Sequence, residues 1–131
     1  MYTISNKLLI KESTHALAYL CPSPILEGHA VIFPKRPVSC TSDLSPEENL
    51  DFWENVQTIA RMLREAYNSP SLTIELKDRV NPVLFANAIP RKAGDLESND
   101  RIYPMLENLN IEGDNEELYQ AAELARKLLG S

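Results

Sequence analysis

Histidine is scarce, with two residues in 131, and so are cysteine, with two, and glycine, with four. No apolar stretch approaches the roughly 18–20 residues that a membrane span needs. Each shortage removes a class of chemistry. There is no glycine-rich phosphate loop, no Gly-x-Ser-x-Gly elbow and no His-Glu-x-x-His, so the common short motifs of nucleotide, hydrolase and zinc chemistry are missing. Cys21 and Cys40 offer neither a metal-ligand spacing nor a disulfide framework and read as free thiols in a reducing compartment. A structural zinc would require both of them to converge with His15 and His29 from scattered positions, so no metal or other cofactor is expected. The N-terminus has no signal-length apolar run behind a basic patch, which predicts a mature, unexported protein of the cytoplasm, with the nucleus as a second location. Thirteen Lys and Arg against nineteen Asp and Glu give a net charge of −6 and a pI near 4.9, which argues against nucleic acid as a partner.

What is there fits one domain spanning residues 1–131. Hydrophobic residues make up 44% of the chain, and a chain of this size buries roughly 65–70% of the surface its unfolded form exposes. Proline, with nine residues, outnumbers glycine and punctuates the sequence. Short strands are predicted at Lys7 to Lys11, Ala16 to Leu20 and His29 to Phe33, the last after a turn at Glu27-Gly28. Ser45-Pro46-Glu47-Glu48 predicts a capped helix start. Leu50, Trp53, Val56, Ile59, Ala60, Leu63 and Tyr67 then recur at spacings of three and four on one face, as far as about Asn68. Leu72, Ile74 and Leu76 alternate with Thr73, Glu75 and Lys77 as in a half-buried strand. Val83 to Ile89 is the next strand, ended by Pro90. A loop from Arg91 to about Asp114 precedes a closing helix at about 115–129, with Gly130 as its stop. The class is α+β, an antiparallel sheet with one long helix and a C-terminal one.

Few residues suit catalysis. His15 and His29 have no sequence-local carboxylate to orient them and read as hydrogen-bonded structural histidines. Cys21 would become a nucleophile only if His29 lay beside it. Asp43, Glu47 and Glu48 read as first-turn charges favoured by the helix dipole. Lys77 reads as a solvated residue on a polar strand face, Arg91 and Lys92 as surface charges, and Tyr103 as an exposed loop tyrosine.

Ile89-Pro90-Arg91-Lys92-Ala93-Gly94-Asp95, followed by Asn99-Asp100-Arg101-Ile102-Tyr103, resembles the stretch after the histidine motif in the fragile histidine triad (Fhit) branch of the HIT superfamily. Gly28-His29-Ala30-Val31-Ile32, Asp43-Leu44-Ser45-Pro46-Glu47 and Ser71-Leu72-Thr73 resemble further blocks of that family in its order, covering roughly residues 8 to 106. The resemblance implies a HIT-like α+β fold and a homodimer whose sheets join across a two-fold axis. It also places the family's three histidines at Val83, Phe85 and Asn87, where none is present. In the family the central histidine attacks the α-phosphate; Phe85 has no lone pair or titratable group with which to do so. The ribose-binding asparagine aligns with Cys21 and a phosphate-contacting glutamine with Lys77. The connection before the motif is shortened to Arg79–Pro82, and the first strand is truncated.

The former nucleotide site therefore comprises Tyr19, Cys21, His29, Val31, Lys77, Val83, Phe85 and Asn87. With two apolar side chains and an amide in place of the histidines, it is expected to be converted into packing. The function expected is a catalytically inactive, homodimeric protein-interaction module with an unidentified protein partner. The first alternative is a sensor that binds an adenine mono- or dinucleotide without hydrolysing it. A nucleotide phosphohydrolase or transferase rebuilt around His29 or Cys21 comes last. The acidic segment from Glu112 to Leu129 matches no family motif and is assigned either to capping the dimer or to contacting the partner.

Overall fold

The computed structural model describes residues 4–78, 83–95 and 115–130. The connection 79–82, the greater part of the loop after Asp95, and Tyr103 with the run 99–103 lie outside the described residues. Five strands form one antiparallel sheet: β1 Leu9–Glu12, β2 Ala16–Leu20, β3 Ala30–Pro34, β4 Ser71–Lys77 and β5 Phe85–Arg91, in the order β1-β2-β3-β5-β4. The long helix α1 spans Pro46–Ala66 between β3 and β4, and α2 spans Glu116–Gly130. Together they cover one face of the sheet, meeting Ile10, Ala18, Leu20, Ile32, Ala86 and Ala88 in the main core. Among the described residues no helix is long and apolar enough to cross a membrane.

The start of α1 follows from its sequence. Ser45 Oγ accepts the Glu48 amide at 3.2 Å and Glu48 Oε1 accepts the Ser45 amide at 2.9 Å, a reciprocal capping box with Pro46 at the first helical position. Arg36 adds a two-pronged bond to the same carboxylate, at 3.0 and 2.8 Å. Bonds from Arg36 and from the Ser45 amide hold Glu48 down at about 2. Asp43 lies ahead of the helix, in a 3-10 turn at Thr41–Asp43, and accepts the Cys40 thiol, so it is not a first-turn charge.

The expected face of α1 is borne out at Val56, Ile59 and Leu63, with Trp53 and Tyr67 packed against the core, but it differs at the start of the helix. Phe52, Asn55, Val56, Ile59, Met62 and Leu63 face the core, while Leu50 is 62% exposed. Both sets satisfy helical spacing; tertiary bonds decide between them. Asn55 Nδ2 donates to Ser13 Oγ and to the Asp51 carbonyl, and Asp51 Oδ2 accepts Ser13 Oγ and the His15 amide. This network pins the β1–β2 turn to the helix.

Four strand boundaries also differ. Lys7 and Leu8 belong to a 3-10 turn, Asn6–Leu8, and β1 starts at Leu9. His29 precedes β3, and Val83 precedes β5. Pro90 does not end the last strand: it pairs with Leu72 inside β5, beyond the point where β3 stops pairing with that strand at Ala88. With β3 absent on that side, the missing N–H of proline leaves no ladder bond unmade. At the other end of the molecule, Arg126 Nη1 donates to the Lys7 and Leu9 carbonyls at 3.2 and 2.9 Å, so α2 closes the β1 edge of the sheet.

Candidate functional site

Side chains alternate across a strand, so Phe85 and Asn87 of β5 share the sheet face opposite the helices with Lys77 and Glu75, their partners on β4. Val31 of β3 pairs with Asn87 and with Tyr19 of β2. This face carries the residues expected from the sequence, and the structure brings them into two adjoining patches.

The first patch is apolar. Phe85 is wholly buried with Cys21 and Val31, and Tyr19 and Phe33 pack against them. The Phe33 and Phe85 rings lie 5.2 Å apart, and Phe33 meets Tyr19 edge-on at 6.3 Å. Burying a phenylalanine removes on the order of 150–250 Å² from water, so this arrangement resists opening. Val83 borders a groove of about 100 Å³ lined also by Ile4, Leu17, Tyr19 and Phe33. Ligand pockets run to roughly 300–1,000 Å³, so this groove is too small to enclose a nucleotide. Phe33 was not among the residues expected at the site; its place two residues beyond Val31 on an alternating strand, opposite Leu17, was the available signal.

Cys21 is in the wrong environment for a nucleophile. Burial pushes its thiol up to about 11, against the lowering effect of a bond from the Ser23 backbone. Its link to His29 is through the main chain, the Cys21 amide donating to the His29 carbonyl at 2.8 Å.

The second patch is polar and also buried. His29 Nε2 lies 2.8 Å from Asn87 Oδ1, and the Ile25 amide donates to His29 Nδ1 at 3.2 Å. Because Nδ1 is an acceptor, the proton sits on Nε2 and the ring is neutral. Burial pushes the imidazole below its ordinary value, although the bond to Asn87 and the nearby Glu75 charge act the other way. His29 is therefore a satisfied structural histidine, as expected. Asn87 Nδ2 is buried and has no hydrogen-bond partner among the described residues.

Lys77 corrects an expectation: it is not solvated but buried, with its ammonium 2.6 Å from Glu75 Oε1. The period-two pattern assigned its face to water, whereas this second face is covered as well. Arg91 is likewise no free surface charge. It binds Asp95 through Nε and Nη2 at 3.0 and 2.9 Å, and Thr73 through Nη1 at 3.0 Å. That pairing closes the turn at Gly94 and leaves Arg91 neutralised. Among the described residues no three His, Cys, Asp or Glu side chains converge as metal ligands.

On the helix-bearing side, a cavity of about 260 Å³ lies between the start of α2 and the end of α1, beside Leu20, Tyr67 and Leu118. Glu27 and Glu117 line it, a charge pattern that repels phosphate.

The model of the HIT domain matches residues 4–88. A bis(5'-adenosyl)-triphosphatase of Dictyostelium discoideum is 33% identical over 110 residues, 80% of this chain and 74% of that protein. A bifunctional bis(5'-adenosyl)-triphosphatase/adenylylsulfatase of Arabidopsis thaliana is 34% identical over 89 residues, 64% of this chain and 49% of its own length. This chain thus spans between about half and three quarters of those relatives. Among solved structures, diadenosine triphosphate hydrolase of Plasmodium falciparum superposes with a TM-score of 0.79 at 17% identity, over 99% of this chain and 81% of that one.

Proposed function

Since this chain belongs to the HIT domain family, we propose that it is a member that works by binding a protein partner, as a homodimer, and does not turn over nucleotides. The observation that carries this reading is Phe85. It stands at the position the resemblance assigns to the attacking histidine and is buried without exposure against Phe33, Cys21 and Val31. A side chain with no lone pair cannot form a phosphohistidine-type intermediate, and the neighbouring thiol is held in its unreactive form. The smallness of the groove beside Val83 favours a protein partner over a nucleotide ligand.

The dimer is supported by the contrast between the two sheet edges. The β1 edge is occupied by Arg126. The other edge is β4, whose Ile74 is 42% exposed and whose lysine is buried instead of guarding the strand. An edge whose lysine is turned in and paired is weakly guarded against a second copy.

The reading is tested by incubating the protein with diadenosine triphosphate and resolving products by chromatography, with light scattering for mass. No AMP and ADP above buffer, and a particle of twice the chain mass, are expected. Multiple turnovers would overturn it. A rise in melting temperature with AMP or a dinucleotide, without products, would favour the nucleotide sensor instead.

A further inference from the structure

The second helix carries more apolar surface than the sheet uses. Ala122 and Ala125 are buried in the core, with Leu118 and Leu129 packed against it. Ala121, Leu124 and Leu128, again three and four apart, form a second stripe on the neighbouring side of α2. This stripe is left largely open, with Leu124 57% and Leu128 44% exposed. It makes one wall of a trough whose other wall is Ala66 and Tyr67 at the end of α1, over a floor of Leu20, Met62 and Leu63. The trough holds about 290 Å³. Toward the start of α2 it runs into the cavity of about 260 Å³, with which it shares Leu20, Glu27, Tyr67 and Ala121.

The two ends of the trough differ in charge. Glu27 and Glu117 stand at the end near the start of α2, and among the described residues no lysine or arginine lines either space. Neither carboxylate takes part in a salt bridge among the described residues. Beyond Leu128, Arg61 and Glu65 border the trough together, so that end is balanced. The complement of this surface is an aliphatic stripe with a positive charge at its acidic end. From Glu117 to Leu128 the wall runs along α2 for about 16 Å at helical rise, the length of about three turns of a helix laid beside it.

We propose that the protein partner docks in the trough between α1 and α2, through an amphipathic helix that sets aliphatic residues between Ala66 and the Leu124–Leu128 stripe and a lysine or arginine between Glu27 and Glu117. The inference deepens, and rests on, the reading that the chain acts by binding a protein. It also gives the acidic C-terminal segment its use: one stripe of α2 holds the core and the next meets the partner.

The test titrates the full chain into labelled synthetic helices of about 14 residues and reads fluorescence anisotropy. The first peptide has leucines at i, i+4 and i+7 and lysines in both terminal turns, so either direction of binding presents one to Glu27 and Glu117. The second has glutamates in place of the lysines, and the third has serines in place of the leucines. Saturable binding of the first is expected, with the other two weaker by about tenfold or more. Leu124→Ser and Leu128→Ser change exposed positions, so each is expected to melt near wild type while binding the lysine peptide about tenfold more weakly. Glu27→Lys combined with Glu117→Lys is expected to transfer the preference to the glutamate peptide. Glu47→Lys, at the opposite end of α1, is expected to leave it unchanged. Equal weakening by Glu47→Lys would reduce the binding to the net charge of the chain and overturn the proposal. Failure of the lysine peptide to saturate, or indifference to Leu124→Ser and Leu128→Ser, also overturns it. A fall in mass from dimer to monomer in Leu124→Ser would assign the trough to a second copy of the chain, with the same result. Hydrolysis of diadenosine triphosphate would instead sink the proposed function, a readout that these titrations do not share.

Discussion

His29 and Asn87 are joined by a 2.8 Å bond from Nε2 to Oδ1, and the second ring nitrogen accepts the Ile25 amide. One neutral imidazole thereby ties the β2–β3 loop to the middle of β5. Protonation would place an N–H against the Ile25 N–H and destroy that tie.

The consequence is a pH dependence of stability with a definite sign. Burial lowers the folded-state pKa of His29, while the unfolded chain titrates near 6.5. Below about 6.5 the unfolded state therefore takes up a proton that the folded state refuses. Stability from this group is full above that pH and is lost as pH falls through the window toward the folded value, by at most about 1.4 kcal/mol per pH unit. Thermal melts between pH 7.5 and 5.5 are expected to decline more steeply in wild type than in His29→Gln. Equal slopes would assign the effect elsewhere.

Phe85 holds the apolar patch together, so its truncation should be costly. Phe85→Ala is expected to lose about 3–5 kcal/mol in denaturant unfolding, the usual range for a buried phenylalanine. Restoring histidine together at Val83, Phe85 and Asn87 is expected not to yield diadenosine triphosphate hydrolysis. Val83 lies before β5 instead of on it, Phe85 sits in a dry cluster, and the Glu75 carboxylate stands beside position 87. Rapid AMP release by that triple variant would show that the pocket survives.

Local rules made some of this legible in the sequence and tertiary packing hid the rest. The capping box at Ser45 and Glu48 and the strand Ala16–Leu20 depend on neighbours in the chain and were readable. The buried helical face was readable at Val56, Ile59 and Leu63 but not at its start, because Leu50 and Phe52 offer equally good apolar phases, and the Asn55 bond to Ser13 that selects one is long-range. Pro90 looked like a strand end because proline breaks ladders; it is tolerated since β3 has stopped short of it. At the site, alternation placed Phe85 and Asn87 correctly, but the same alternation sent Lys77 to solvent. Nothing local signals that the second sheet face is covered and that Glu75 accompanies the lysine.

Gly28 shows the same long-range control of a single position. Its φ of +90° lies in the left-handed region, and a Cβ there would meet Tyr67 Cε2 at 2.7 Å and Pro90 Cγ at 2.8 Å. Both neighbours are ring atoms held by their own packing and have little room to yield. Gly28→Ala is expected to cost roughly 1–3 kcal/mol through backbone strain and crowding together. Because the substituted residue adjoins His29, it should also flatten the pH slope of the melt. A variant as stable as wild type would mean that the loop re-forms without the left-handed turn.

The homodimer proposed to form through the β4 edge can be tested apart from folding. Ile74 sits on the same face as Leu72 and Leu76, opposite Ala88, yet stays 42% exposed where those two pack on the core. Replacing it should therefore leave the core intact while placing a charge where a second sheet would pair; lysine is the residue natural edges use to prevent such pairing. Ile74→Lys is expected to halve the mass found by light scattering and to change the stability of the isolated subunit by no more than about 0.5 kcal/mol, as for ordinary surface substitutions. The control is Arg126→Ala on the other edge. It frees the carbonyls of Lys7, in the 3-10 turn, and of Leu9, at the start of β1, but creates no new donor, so it should leave the mass unchanged. If Ile74→Lys remained a dimer while Arg126→Ala altered the assembly, the two-fold would have to run through β1 and α2, and the acidic face of that helix would become the interface.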